Sequence, residues 1–214
     1  MKLVIDRYVM GMVSTNAYLL INDDTKETIF VDVPDGSGAL LEIVREKGLK
    51  PAAILLTHGH YDHMGGVEAF TKVYDVPVYA NEAEESLLQN PDLNVSQMIM
   101  GVDASLTVEN LLKDNEIFTL GGMRFKMLAT PGHTCGGACY YLPDEKVLMS
   151  GDTLFEESVG RTDFPTGSYP ELIRSITERL IPLGDDVKVY PGHGPATTIG
   201  HEKKHNPYIQ GKFS

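Results

Sequence analysis

Apolar residues recur along this chain in two rhythms, and the switches between them mark its elements. KLVIDRYV (2–9), STNAYLLIN (14–22) and ETIFVDV (27–33) read as successive strands, the last two joined by the polar turn NDDTK, which predicts an antiparallel opening. From Gly38 the spacing lengthens. ALLEIVREKG places Leu40, Leu41 and Val44 on one helical stripe closed by Gly48, ahead of the buried-type strand AAILLT (52–57). GGVEAFTKVY predicts a helix, PVYA a short strand, and NEAEESLLQ a second helix begun by Asn81 and acidic residues. The stretch 90–110 has weak periodicity around an apolar centre, Met98-Ile99-Met100, which is read as core packing in preference to a flap over a site.

The second half repeats this logic. EIFTL and MRFKMLAT form a hairpin around Gly121-Gly122, ACYYLP and KVLMSGD another around Asp144-Glu145, then SYPELIRSITERL is helical and DVKVYPGHG runs from strand into loop. Two halves of similar order suggest an α/β protein built as a four-layer αββα sandwich, two mixed sheets face to face with helices on the outer faces. Spacing alone leaves a three-layer α/β fold open. A length of 214 residues suits one domain spanning 1–214.

Charge narrows the field. With 18 basic against 30 acidic residues, net −12, and no Lys/Arg block, the chain lacks the electrostatic footprint of a nucleic-acid binder. The N-terminus shows no export-signal pattern, no stretch approaches a membrane span, and the cysteines are Cys135 and Cys139; a cytoplasmic location is expected. Their Cx3C spacing gives them no metal role, and packed thiols are expected.

The chemistry gathers in THGHYDH (57–63). Five of the seven histidines, His58, His60, His63, His133 and His193, directly follow predicted strands, and Asp152 in LMSGDTLF occupies an equivalent place. Strands of a sheet deliver their C-terminal loops to a common rim, so these groups can converge. Neutral imidazoles suit zinc and iron, and a carboxylate can bridge two cations. With Asp62 the set is seven, too many for one tetrahedral ion. Two ions roughly 3.5 to 4 Å apart would use all of them and hold a hydroxide between. Glycines in HGH, PGHT and PGHG permit close backbone approach. A structural metal is disfavoured, because such sites are closed and cysteine-rich.

The HxHxDH motif, followed by His133, Asp152 and His193 in that order, resembles the metallo-β-lactamase fold superfamily over nearly the whole chain. The resemblance implies that His58, His60 and His133 hold one metal, that Asp62, His63 and His193 hold the second, and that Asp152 bridges them. Within the superfamily, MSGDTLFEESVGRTDFPTGSYPELIRSI and YPGHGPATTIGHEKKHNPY look like the short bacterial glyoxalase II-like hydrolases. An aspartate at 152 separates the chain from the best-known zinc β-lactamases, which place a cysteine there. Full glyoxalase II enzymes add a C-terminal helical segment that grips glutathione. Only 21 residues follow His193, and Lys203, Lys204 and Tyr208 are read as a solvated tail.

These readings imply hydrolysis of a small-molecule thioester of the S-acylglutathione kind, or another ester including a lactone, by two divalent ions, zinc first with iron or manganese compatible. Asp62 would orient the hydroxide. The runner-up is a persulfide dioxygenase of the same fold, which shares GRTDF (160–164) and would use one iron on His58, His133 and Asp152. A binding module without turnover comes last, since the ligand set is complete. Arg161 and Asp163 are expected as a buried pair behind the bridging aspartate's loop, and Asn16, Tyr18 and Tyr61 as core or site-lining residues.

Overall fold

The fold is described from a computed structural model covering residues 1–211. A first sheet carries β1 (Leu3–Met10), β2 (Thr15–Asn22), β3 (Glu27–Val31), β4 (Lys50–Leu55), β5 (Val78–Asn81) and β6 (Asn110–Leu112), in that order. β1 to β3 pair antiparallel and β3 to β6 parallel. The switch follows from the connections: NDDTK is a tight turn, whereas α1 (Gly38–Lys47) makes the crossover that a parallel pair requires.

In the second sheet, β7 (Ile117–Leu120), β8 (Met123–Ala129), β9 (Ala138–Leu142) and β10 (Val147–Gly151) run antiparallel. After a small hairpin of β11 (Leu154–Phe155) and β12 (Ser158–Val159), β13 (Lys188–Pro191) adds parallel to β10, with β14 (Thr197–Thr198) outside it. The remaining helices are α2 (Tyr61–Met64), α3 (Val67–Thr71), α4 (Glu85–Leu88), α5 (Ser96–Met100), α6 (Tyr169–Ser175) and α7 (Ile199–His205).

Side-chain alternation builds the four layers. On β2, Ala17, Leu19 and Ile21 pack with Leu40 and Val44 of α1, while Tyr18 and Leu20 face the second sheet. On β9, Ala138 and Tyr140 join that inter-sheet core, and Cys139 turns outward to Leu172 of α6 and Ile199 of α7. β2 is therefore buried along its whole length, which is why STNAYLLIN reads as a nearly continuous apolar run. The four-layer sandwich with two mixed sheets forms as expected.

Several short elements depart from the expected pattern. β6 is three residues long and the β11–β12 hairpin two per strand, too short for any periodicity to register. The expected solvated tail holds in part: Lys203 and Lys204 are exposed, but on a helix, α7, whose Ile199 and Glu202 are buried, and Tyr208 beyond it is half-buried. The core-packing reading of Met98-Ile99-Met100 is overturned. These residues form α5, whose Met98 is 62% exposed.

Candidate metal centre

All seven expected donors reach one rim. β4 ends in the loop bearing His58 and His60, and the short helix α2 presents Asp62 and His63. His133 lies between β8 and β9, Asp152 directly after β10, and His193 after β13. Three overlapping groups have donor atoms within 4.8 Å of one another: His58–His60–His133, His58–His63–Asp152 and Asp62–His63–His193. Gly192 lets two of these loops meet, since a Cβ there would run into Asp152 Oδ1 and His63 Cε1.

The distances suit a shared cation. Asp62 Oδ2 is 3.3 Å from Nε2 of both His63 and His193. Asp152 Oδ1 is 3.4 Å from His63 Nε2, and its Oδ2 is 3.4 Å from His193 Nε2 and 3.6 Å from His133 Nε2. These are long for hydrogen bonds. Two ligands each about 2.0–2.1 Å from a tetrahedral ion lie about 3.4 Å apart. Nε2 of His58, His60 and His63 and Oδ1 of Asp152 are buried without a hydrogen-bond partner, and each such orphan costs about 1–3 kcal/mol unless something satisfies it. The residues present therefore fit a divalent cation site for one or two ions.

Electrostatics points the same way. Burial, reinforced by His63, holds His58 well below the usual histidine range, and burial with the neighbouring His133 brings His60 down to about 3, so both rings are neutral. Burial opposes the charge on His63 too, but Asp62, Asp152 and Asp32 together hold it well above its ordinary value. Despite burial, His63 keeps Asp62 well below the carboxylate range and Asp152 at about 2. The carboxylates make a nest for positive charge.

Two residues that support the rim escaped the sequence reading. Asp32 is buried directly after β3, where its Oδ2 accepts the His63 Nδ1 proton at 2.7 Å and the Thr57 hydroxyl at 2.8 Å, and its Oδ1 accepts Thr57 N–H at 2.8 Å. Thr57 Oγ1 in turn lies 3.2 Å from His58 Nδ1. Such outer partners fix the tautomer and leave Nε2 facing inward. The available signal was an acid ending an apolar strand, the same one that picked out Asp152.

Glu84, in the turn between β5 and α4, is buried and accepts Gly59 N–H at 2.9 Å and Gly136 N–H at 2.7 Å, joining the His60 and His133 loops. Asn81 holds the same loop, donating to Gly136 O at 2.9 Å. Nothing in NEAEES distinguishes Glu84 from its solvated neighbours.

Burial raises Glu84 from 4.5 to about 7, partly offset by those N–H donors. The folded chain thus holds this proton longer than the unfolded one. The resulting stability is full below pH 4.5 and is lost as pH rises through about 7. At 1.36 kcal/mol per pH unit that span is worth about 3 kcal/mol. In urea titrations from pH 4 to 8, Glu84→Gln should remove this slope relative to wild type; parallel pH profiles would reject the assignment.

The Arg161–Asp163 pair is not buried as expected. The two side chains are 56% and 67% exposed, joined by two 2.7 Å hydrogen bonds, with the guanidinium 3.8 Å over the Phe164 ring. The loop curls around His133, so Arg161 supports the site through its backbone: His133 Nδ1–H donates to Arg161 O at 2.7 Å. Its side chain lines the cleft mouth. Asn16 and Tyr18 are buried and hold the His193 loop from β2, both donating to Pro191 O at 2.8 Å. Tyr61 borders a small groove beside Asp62. Cys139 is buried and Cys135 half-buried, and neither belongs to a donor group.

No helix among the described residues is long and apolar enough to cross a membrane. The profile of the metallo-beta-lactamase superfamily matches residues 10–193. Hydroxyacylglutathione hydrolase GloC of Haemophilus influenzae is 37% identical over 195 residues, 90% of this chain and 92% of that one. Among solved structures, the BLEG-1 B3 metallo-beta-lactamase superposes with a TM-score of 0.93 at 40% identity, covering 97% of this chain and 100% of that one. TTHA1623, solved in a di-iron-bound form, gives 0.83 at 34% identity over 95% and 99%. A chain matched by this profile, at these identities and over this length, belongs to the metallo-beta-lactamase superfamily, and its converging donors make it a metal-dependent hydrolase of that fold.

Proposed function

We propose that the chain hydrolyses thioesters at a two-ion site in which His58, His60 and His133 hold one ion, Asp62, His63 and His193 the other, and Asp152 reaches both. Bound there, two divalent ions would bring the pKa of coordinated water to about 7 and would polarise a substrate carbonyl. Asp62 accepts the Thr15 hydroxyl proton at 2.8 Å, which fixes its carboxylate so that it can orient the attacking water. Water gives up a proton to solvent as its oxygen bonds to the acyl carbon; the C–S bond breaks and the thiolate leaves with its electron pair.

The observation that carries the substrate class concerns the leaving group. Apart from the proposed ligands, the ionisable side chain among the described lining residues is Arg161, which stays protonated and cannot serve as a general acid. A thiolate, pKa about 8.5, departs without one, whereas an amine does not. The likeness to GloC, named a hydroxyacylglutathione hydrolase, and to a protein solved in a di-iron-bound form supports the same reading.

The test is elemental analysis after expression with zinc and iron both supplied, followed by thiol release from S-acyl thioesters. About two ions per chain and turnover abolished by chelation are expected. One iron per chain with oxygen uptake on a persulfide would replace this reading with the dioxygenase.

A further inference from the structure

Five of the eight large apolar side chains most open to solvent among the described residues lie on two segments: Val9, Met12 and Val13 at the β1–β2 turn, and Met98 and Val102 on α5 and just beyond it. The segments face one another. Met12 and Val13 meet Ile99 and Met100 around a crevice beside Asp62 whose volume, about 10 Å³, holds no more than a water. Val13, Ile99 and Asp62 also border the cleft over the donor groups, about 410 Å³, whose other apolar walls are Phe155, Val159 and Phe164. Apolar surface left open beside polar donors marks a ligand groove.

The crevice is too small for a chain, so the space that can hold one is the cleft in which Val13 and Ile99 flank Asp62, and an occupant there adjoins the reacting carbon. That makes it the substrate's own tail. Charge restricts the tail further. Arg161 is the cation among the described lining residues, and it is spent on Asp163 and Phe164, while Asp35 borders the crevice and the chain carries net −12. A carboxylate on the acyl group would find no free cation there. Unbranched methionines adapt to chains of different length.

On the thioester reading above, we infer that the substrate's acyl group is an uncharged apolar chain of several carbons, lying between the β1–β2 turn and α5. The experiment measures kcat/KM of the metal-loaded protein for N-acetylcysteamine thioesters carrying acetyl, butyryl, hexanoyl, octanoyl and succinyl groups. A half-open apolar groove should raise kcat/KM roughly twofold per methylene, about 50-fold from acetyl to octanoyl. Succinyl should fall below butyryl. Ile99→Ser and Val13→Ser should each lower the octanoyl-to-acetyl ratio about fivefold, and a ratio taken on one preparation does not depend on how much of it folds.

A series flat or falling with chain length, while acetyl is turned over, overturns the inference and leaves the hydrolase standing. A flat series from a protein that light scattering shows to be a dimer would assign the patch to self-association and overturn it as well. No turnover of any thioester, acetyl included, overturns the underlying reading and the inference with it.

Discussion

Asp62→Ala should lower kcat/KM for thioester hydrolysis about a thousandfold, about 4 kcal/mol of transition-state stabilisation. The carboxylate faces Nε2 of His63 and His193 at 3.3 Å and is itself fixed by Thr15. Without it the second ion keeps two imidazoles and a shared Asp152, and the attacking water loses its acceptor. His58, His60 and His133 are untouched, so metal analysis should fall from about two ions toward one. Asp62→Asn, which preserves shape and removes charge, should behave similarly if charge is what holds the second ion. Full turnover by a one-ion Asp62→Ala protein would sink the two-ion mechanism.

Asp32→Ala should destabilise the fold by about 3–5 kcal/mol, a loss typical of breaking a buried ionic network. The His63 ring N–H, the Thr57 N–H and the Thr57 hydroxyl all lose their acceptor at once. Backbone strain adds to this. Asp32 has φ of +60°, a conformation that aspartate tolerates better than alanine. Metal affinity should fall about 10- to 100-fold, because His63 is no longer held with Nε2 inward. Urea titration reads the first effect and competition with a chelator the second. Unchanged metal affinity in a destabilised variant would limit Asp32 to a structural role.

The convergence of the seven donors was legible because their residue types are distinctive and the apolar-strand placement repeats for His58, His133, Asp152 and His193. The layers were legible for a related reason: β2 and β9 are buried on both faces, and their runs are apolar accordingly. What stayed hidden depends on contacts distant in sequence. Glu84 stands in an acidic stretch that is otherwise mostly exposed, and its burial follows from Gly59 and Gly136, 25 and 52 residues away. The direction of the Arg161 side chain is set by how its loop passes His133, which local composition does not encode. α5 misled because three consecutive apolar residues suggest a core, and only the tertiary placement leaves Met98 in solvent.

Each of the three donor groups draws on both sheets: His133, Asp152 or His193 from the second half completes what His58, His60, Asp62 and His63 from the first begin. No ion can gain its full set of ligands before the halves have docked, so the free energy of ion binding counts toward docking. In a chain whose two cysteines are both free, a bound cation would act as the staple across the seam.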